Sequence, residues 1–172
     1  MSLENSLLVR CATEADVEAY RELRLEALRN HPEVYSADYD EQASRTHEQW
    51  AARLRSASTF VACDGEALVG ITGIFRGDSP KTQHKGTIVS VYVRPSYRGH
   101  GLAQKLMNAC LAWAKDHHLR FVTLTVITTN TAAVKAYKRC GFTIYGVEPD
   151  GILWDNVYYD EFVMIKWLTR VE

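Results

Sequence analysis

A chain of 172 residues, 47% of them hydrophobic, is long enough to bury a sizeable core and is expected to form one domain over residues 1–172. Its 20 basic and 21 acidic residues leave a formal charge of −1, so no general field draws nucleic acid or an anionic membrane, and neither is an expected partner. No apolar run nears the ~20 residues that span a bilayer and no basic-then-apolar leader opens the chain, which makes the cytoplasm the expected location.

In chain order, Leu7–Cys11 reads as a short strand, and Thr13-Glu14-Ala15-Asp16 has the capping pattern that opens a helix running to about Arg29. His31-Pro32 ends that helix, and residues 31–45 lack clean periodicity. Thr46-His47-Glu48-Gln49 then caps a short helix through Leu54. Thr59–Cys63 and Glu66–Phe75 are β-type runs joined across Asp64-Gly65, a two-residue turn signal. Gly77-Asp78-Ser79-Pro80 is a loop leading to a central strand over Thr87–Val93. Its period-2 alternation puts Val89, Val91 and Val93 on one face and Ile88, Ser90 and Tyr92 on the other.

Farther on, Leu102, Leu106, Ala109, Cys110 and Trp113 recur at helical spacing, and the helix ends near His117-His118. Phe121–Val126 is the next strand, Thr131–Arg139 a helix closed by Gly141, and Phe142–Val147 and Val157–Leu168 are the last two strands. This order predicts an α+β fold, with about seven strands in a mixed, mostly antiparallel sheet flanked by about four helices. Cys11, Cys63, Cys110 and Cys140 are widely spaced in apolar patterns and read as reduced core cysteines. His84, His117 and His118 have no ligand spacing with other metal-binding side chains, so no metal is expected.

Between the central strand and the helix at Leu102 stands Arg94-Pro95-Ser96-Tyr97-Arg98-Gly99-His100-Gly101-Leu102-Ala103. A helix start leaves about four backbone N–H groups unpaired and carries roughly half a positive charge, so it suits a phosphate. A P-loop would need Lys and then Ser or Thr where Leu102-Ala103 stands, and a dinucleotide fingerprint would need a third small residue at Gln104 and a later acid. Neither pattern is met. Arg98-x-x-Gly101-x-Ala103 instead resembles the Q/R-x-x-G-x-G/A pyrophosphate loop of the GCN5-related N-acetyltransferase (GNAT) superfamily. The later run from Asn130 to Phe142 resembles that superfamily's N-x-x-A-x-x-x-Y-x-x-x-G-F segment. The resemblance covers about residues 59 to 168, with the N-terminal third matching more in layout than in motif, and the chain is identified as similar to small, single-domain, bacterial-type members.

The resemblance implies a GNAT-type sheet with a splayed centre and acetyl-CoA as cosubstrate. The backbone of Val91, Tyr92 and Val93 would pair with the pantetheine arm, and the turn from Arg98 through Gly99, His100, Gly101 and Leu102 to Ala103 would take the pyrophosphate. Asn130 and Ala133 would meet the arm again, and Tyr137 would give a proton to the departing thiolate. A phenol of ordinary pKa ≈ 10 is protonated at neutral pH and suits that task. The residues alone leave a second reading of Tyr137 open, because Ala133, Ala136, Tyr137 and Cys140 form a helical stripe that could simply be core. Asn130 is also an N-cap by position.

The resemblance implies an N-acetyltransferase acting on a small-molecule or peptide amine by direct attack, with a homodimer allowed; a non-catalytic acyl-CoA-binding or sensing module is the alternative. Some members carry a Glu on the central strand as general base, but Thr87–Val93 has no carboxylate. Water, or a carboxylate among Asp38, Asp40, Glu41 and Glu148, is left for the task. Tyr35 to Glu41 gathers two tyrosines with three acids in the segment that walls the acceptor site in this family, and it reads either as a seat for a cationic amine or as a solvated loop. Tyr158 and Tyr159 would line the acceptor site from the late strands.

Overall fold

The computed structural model describes residues 7–56 and 58–169. Seven strands form one sheet in the order β1-β2-β3-β4-β5-β7-β6. They are β1 (Leu7–Cys11), β2 (Ser58–Asp64), β3 (Ala67–Arg76), β4 (Lys85–Val93), β5 (Phe121–Ile127), β6 (Thr143–Trp154) and β7 (Val157–Trp167). The first four make an antiparallel meander, β4 and β5 run parallel, and β5, β7 and β6 are antiparallel again. The α+β class and the mixed seven-stranded sheet match the expectation.

Five helices cover the sheet: α1 (Val17–Asn30), α2 (Tyr39–Ala43), α3 (His47–Ser56), α4 (Leu102–Asp116) and α5 (Thr131–Arg139). On one face α1 and α3 bury Tyr20, Leu23, Leu28 and Trp50 against Ile71 and Tyr92. On the other, α4 and α5 bury Met107, Cys110 and Val134 against Ile74, Ile88, Leu124 and Met164. The start of α1 follows the sequence pattern: Asp16 accepts from the Thr13 backbone N–H at 2.7 Å and takes both Arg10 guanidinium nitrogens at 2.7 Å. That pair holds the Asp16 carboxyl well down, at about 2, with the Arg10 hydrogen bonds the largest cause.

Four sequence expectations need correction. α2 was not anticipated, and it forms because Asp38 caps it by accepting from the Glu41 N–H at 2.9 Å. β6 runs well past Val147, since it lies at the sheet edge where Pro149 costs no ladder bond, and the hairpin closes at Asp155-Asn156 with both residues at positive φ. Cys63, Cys110 and Cys140 are buried but Cys11, ending the edge strand, is exposed. Finally, the simple alternation of β4 fails: Ile88 packs with the α4 and α5 layer while Tyr92 packs with the α1 and α3 layer.

Candidate active site

The break in alternation is a β-bulge. Ile71 pairs with Tyr92 and Gly73 with Val89, so Ser90 and Val91 together oppose Thr72 and neither has a ladder partner on β3. Ser90 takes φ +59°, a left-handed conformation that side chains other than glycine rarely adopt. The buried Thr72 braces the kink by donating to the Val89 carbonyl at 3.3 Å.

The same strand also parts from its parallel neighbour. β4 pairs with β5 only where Lys85–Thr87 meet Phe121–Thr123. Beyond that point Ile88–Val93 and Leu124–Ile127 line a cavity of about 1040 Å³. Backbone groups on the facing edges are thereby offered to an extended, amide-bearing ligand rather than to each other.

At the end of β4, Gly99 and Gly101 have φ of +86° and +72°, and a Cβ on either would meet nothing within 4 Å. This conformation turns the chain so that the backbone N–H groups from Gly99 through Gln104 donate to no group among the described residues. Gly101 caps α4 without a side-chain bond. The result is an amide cradle on a helix end, suited to a pyrophosphate. Arg98 lines the cavity here, though its Nε donates to the Val93 carbonyl at 3.0 Å and its Nη2 lies 3.1 Å from His31 Nε2. His100 does not line the cavity; its Nδ1 lies 3.4 Å from the Tyr97 carbonyl oxygen.

From α5, Asn130, Ala133 and Tyr137 reach the same cavity. The Asn130 side chain accepts from the Ala133 N–H at 3.1 Å, so it does cap the helix, while its amide NH₂ has no partner among the described residues. Tyr137 is half-buried, packs edge-on against Phe142, and its hydroxyl bonds to nothing among the described residues. Burial raises its pKa, and the neighbouring Tyr35 and Cys140 add to the shift, so the phenol holds its proton.

On the α1 side of the sheet the cavity meets charged groups. Tyr35 donates to the Val91 carbonyl at 3.0 Å, and burial pushes its hydroxyl up to about 12. The guanidinium of Arg24 lies 4.7 Å from the Tyr35 ring centroid, and Arg53 bonds to the Tyr20 hydroxyl at 3.2 Å and contacts Ser90 Oγ at 3.5 Å. Glu161 pairs with Ile127, and since its neighbour Phe162 and Met164 pack with the α4 and α5 layer, Glu161 lies on the opposite face of the sheet, the one that α1 covers. Burial raises its pKa, the Thr125 hydrogen bond lowers it, and the nearby charge of Glu148 raises it further.

Of the acceptor residues expected from sequence, Tyr35 and Tyr159 line the cavity and Asp38, Asp40, Glu41, Glu148 and Tyr158 do not. The physical reason is local: Asp38 caps α2, Glu41 pairs with Arg45 at 2.8 Å, Glu148 lies exposed on the edge strand, and Tyr158 is 61% exposed. The carboxylates that do line it are Glu33 and Glu161. Sequence reading missed Arg24, Arg53, Thr72 and Glu161. The usable signals were an arginine four residues after Tyr20 on a buried helical stripe, and a lone acid on the otherwise apolar inner face of β7.

A split parallel pair, a kink beside it and an amide cradle at its mouth form one cavity shaped for a long, amide-bearing ligand that ends in phosphates. The chain belongs to the Acetyltransferase (GNAT) family, whose model matches residues 18–142. It is 31% identical over 135 residues to a mycothiol acetyltransferase of Geodermatophilus obscurus, a match covering 77% of this chain and 43% of that protein. The chain thus spans less than half the length of that relative. An L-amino acid N-acetyltransferase of Escherichia coli is 28% identical, with 94% of this chain and 98% of that protein covered. Among solved structures, a GNAT-family acetyltransferase from Streptococcus pneumoniae superposes with a TM-score of 0.84 at 26% identity, over 95% of this chain and 99% of that one.

Proposed function

We propose that the protein transfers the acetyl group of acetyl-CoA to a primary amine by direct attack in a ternary complex. One observation carries the reading: the cavity between β4 and β5 has Tyr137 on the α5 side of the sheet and Glu161 on the α1 side. An acyl group held between the strands would then meet its nucleophile from one side and its leaving-group acid from the other. The residues fit the donor, because the cradle from Gly99 to Gln104 suits phosphates and the facing strand edges suit the amides of a pantetheine arm.

Bound acetyl-CoA supplies an activated acyl carbon, at which a C–N bond to the acceptor forms as the C–S bond breaks. Backbone groups at Ser90 and Val91, freed by the bulge, orient the acyl oxygen; one well-aimed donor of this kind is worth roughly 3–4 kcal/mol. Glu161 takes the proton of the attacking amine, directly or through water, and the Tyr137 hydroxyl gives its proton to the sulfur. L-amino acids, which appear in the name of one relative, belong among the acceptors to try. The test is CoA release from acetyl-CoA over a panel of amines. A protein that binds acetyl-CoA tightly but releases CoA with none of them would be a sensing module instead.

A further inference from the structure

At the α1 side of the cavity sits a cation with no anion against it among the described residues. Arg24 is 4% exposed and lines the cavity, and its Nε and Nη1 are buried with no hydrogen-bond partner among those residues. Among the described residues it forms no ion pair, and the charges nearest it on other arginines, Arg53 and Arg45, repel it. A guanidinium keeps its charge in any protein interior, so burial without a counter-charge is among the costlier things a fold can hold. Contact with the Tyr35 ring, 4.7 Å from the guanidinium to the centroid, offsets a part of that and leaves the hydrogen-bonding capacity of the fork unmet.

The chemistry that fits a buried, unpaired guanidinium fork is a carboxylate, which it can grip through two parallel hydrogen bonds. Phosphates of a CoA donor are a poor match in place, because their cradle lies beyond Val93 at Gly99 to Gln104, whereas Arg24 is tied through Tyr35 to Val91 at the bulge. Glu161 lies on the same side of the sheet and lines the same cavity. A carboxylate-binding cation and an amine-binding anion in one cavity are complementary to a zwitterion.

We infer that the acceptor is an α-amino acid whose carboxylate is held by Arg24 while its amine faces the acyl site. This rests on the acetyl-transfer reading above and narrows it, excluding polyamines and other carboxyl-free amines as preferred substrates.

The experiment is CoA release with the twenty amino acids, each beside its α-carboxamide, together with acetyl-CoA binding by calorimetry. The wild-type protein should prefer the best acid over its amide by about a hundredfold or more in kcat/KM, as sites built around a specific charged hydrogen bond do. Arg24→Gln should raise KM for the acid about tenfold or more while leaving KM for the amide and the affinity for acetyl-CoA within about twofold, and Arg24→Lys should recover part of the loss. Equal use of acids and amides by the wild-type protein overturns the inference whether or not the variants fold. So does acetylation of carboxyl-free amines alone, or of no amino acid, by a protein that binds acetyl-CoA. Failure to bind acetyl-CoA would sink the acetyl-transfer reading itself, which the calorimetry reads separately.

Discussion

The portions of the cavity that the proposed reaction assigns to donor and acceptor are built from different materials. The donor portion is backbone: glycines at positive φ, unpaired amides at a helix start and the free edges of two strands. The acceptor portion is side chain: Arg24, Arg53, Tyr35 and Glu161 converge from α1, α3, the segment between α1 and α2, and β7. Under the proposed acetyl transfer, backbone would recognise what every donor of this type shares, and a few side chains would decide which amine is admitted. Changes in the donor portion should therefore cost affinity or rate for every acceptor, and changes in the acceptor portion, Glu161 as the proposed base apart, should redistribute preference.

The largest effect is expected at Tyr137. Tyr137→Phe keeps the ring against Phe142 and removes a hydroxyl that bonds to nothing among the described residues, so stability should hold while the single-turnover rate falls ~10²-fold or more. Equal rates would return Tyr137 to the core. Glu161→Gln should cost about tenfold to a hundredfold in kcat. It should also remove an acidic limb from the pH profile: a base must be ionised, and burial places its pKa above the usual carboxylate range, so wild-type activity should climb as pH rises through that raised value. A limb that survives the substitution assigns it to another group.

Gly101→Val should weaken acetyl-CoA about tenfold, or roughly 1.4 kcal/mol, through strain at φ +72° and displacement of the amide cradle, with no acceptor favoured over another. Unchanged affinity in a folded variant would detach the cradle from the phosphates. Outside both portions, Asp16→Asn should cost about 1–2 kcal/mol of stability at neutral pH. Because the folded carboxyl lies at about 2, below its unfolded value, that contribution is present above about pH 4 and is lost as pH falls toward 2, which acid titration of wild type and variant would show. The smallest effect belongs to Asp38→Asn, Asp40→Asn and Glu41→Gln combined. Acceptor KM and its salt dependence should not move, and thermal unfolding should change little, because an asparagine oxygen can accept from the Glu41 N–H as Asp38 does. A salt-dependent rise in KM would instead bring these acids into the acceptor's field.

The contrast in materials also explains what the sequence disclosed. Arg98 to Ala103 and Asn130 to Phe142 are contiguous because one turn and one helix do their work, so their residue types stand at fixed spacing. Arg24 and Glu161 are brought together only by tertiary folding, and each looks locally like an ordinary charge on a helix or strand. The acidic run at Asp38 to Glu41 drew attention because it is dense in sequence, yet its density serves a helix start. At β4 the period-2 pattern was read correctly on each side of Ser90 and wrongly across it, since a bulge inserts a residue without any apolar signature.

The bulge at Ser90 ties two properties that could otherwise vary separately. It frees backbone groups beside the cavity, and it also hands β4 from one core to the other, so that Ile88 serves the α4 layer and Tyr92 the α1 layer. Deleting one residue there would straighten the strand and swing Tyr92 away from Glu26, which now accepts its hydroxyl at 3.0 Å, and Val93 away from Leu102 and Leu106. The kink is thus held in place by the packing of both layers, independently of any use made of the backbone groups it frees.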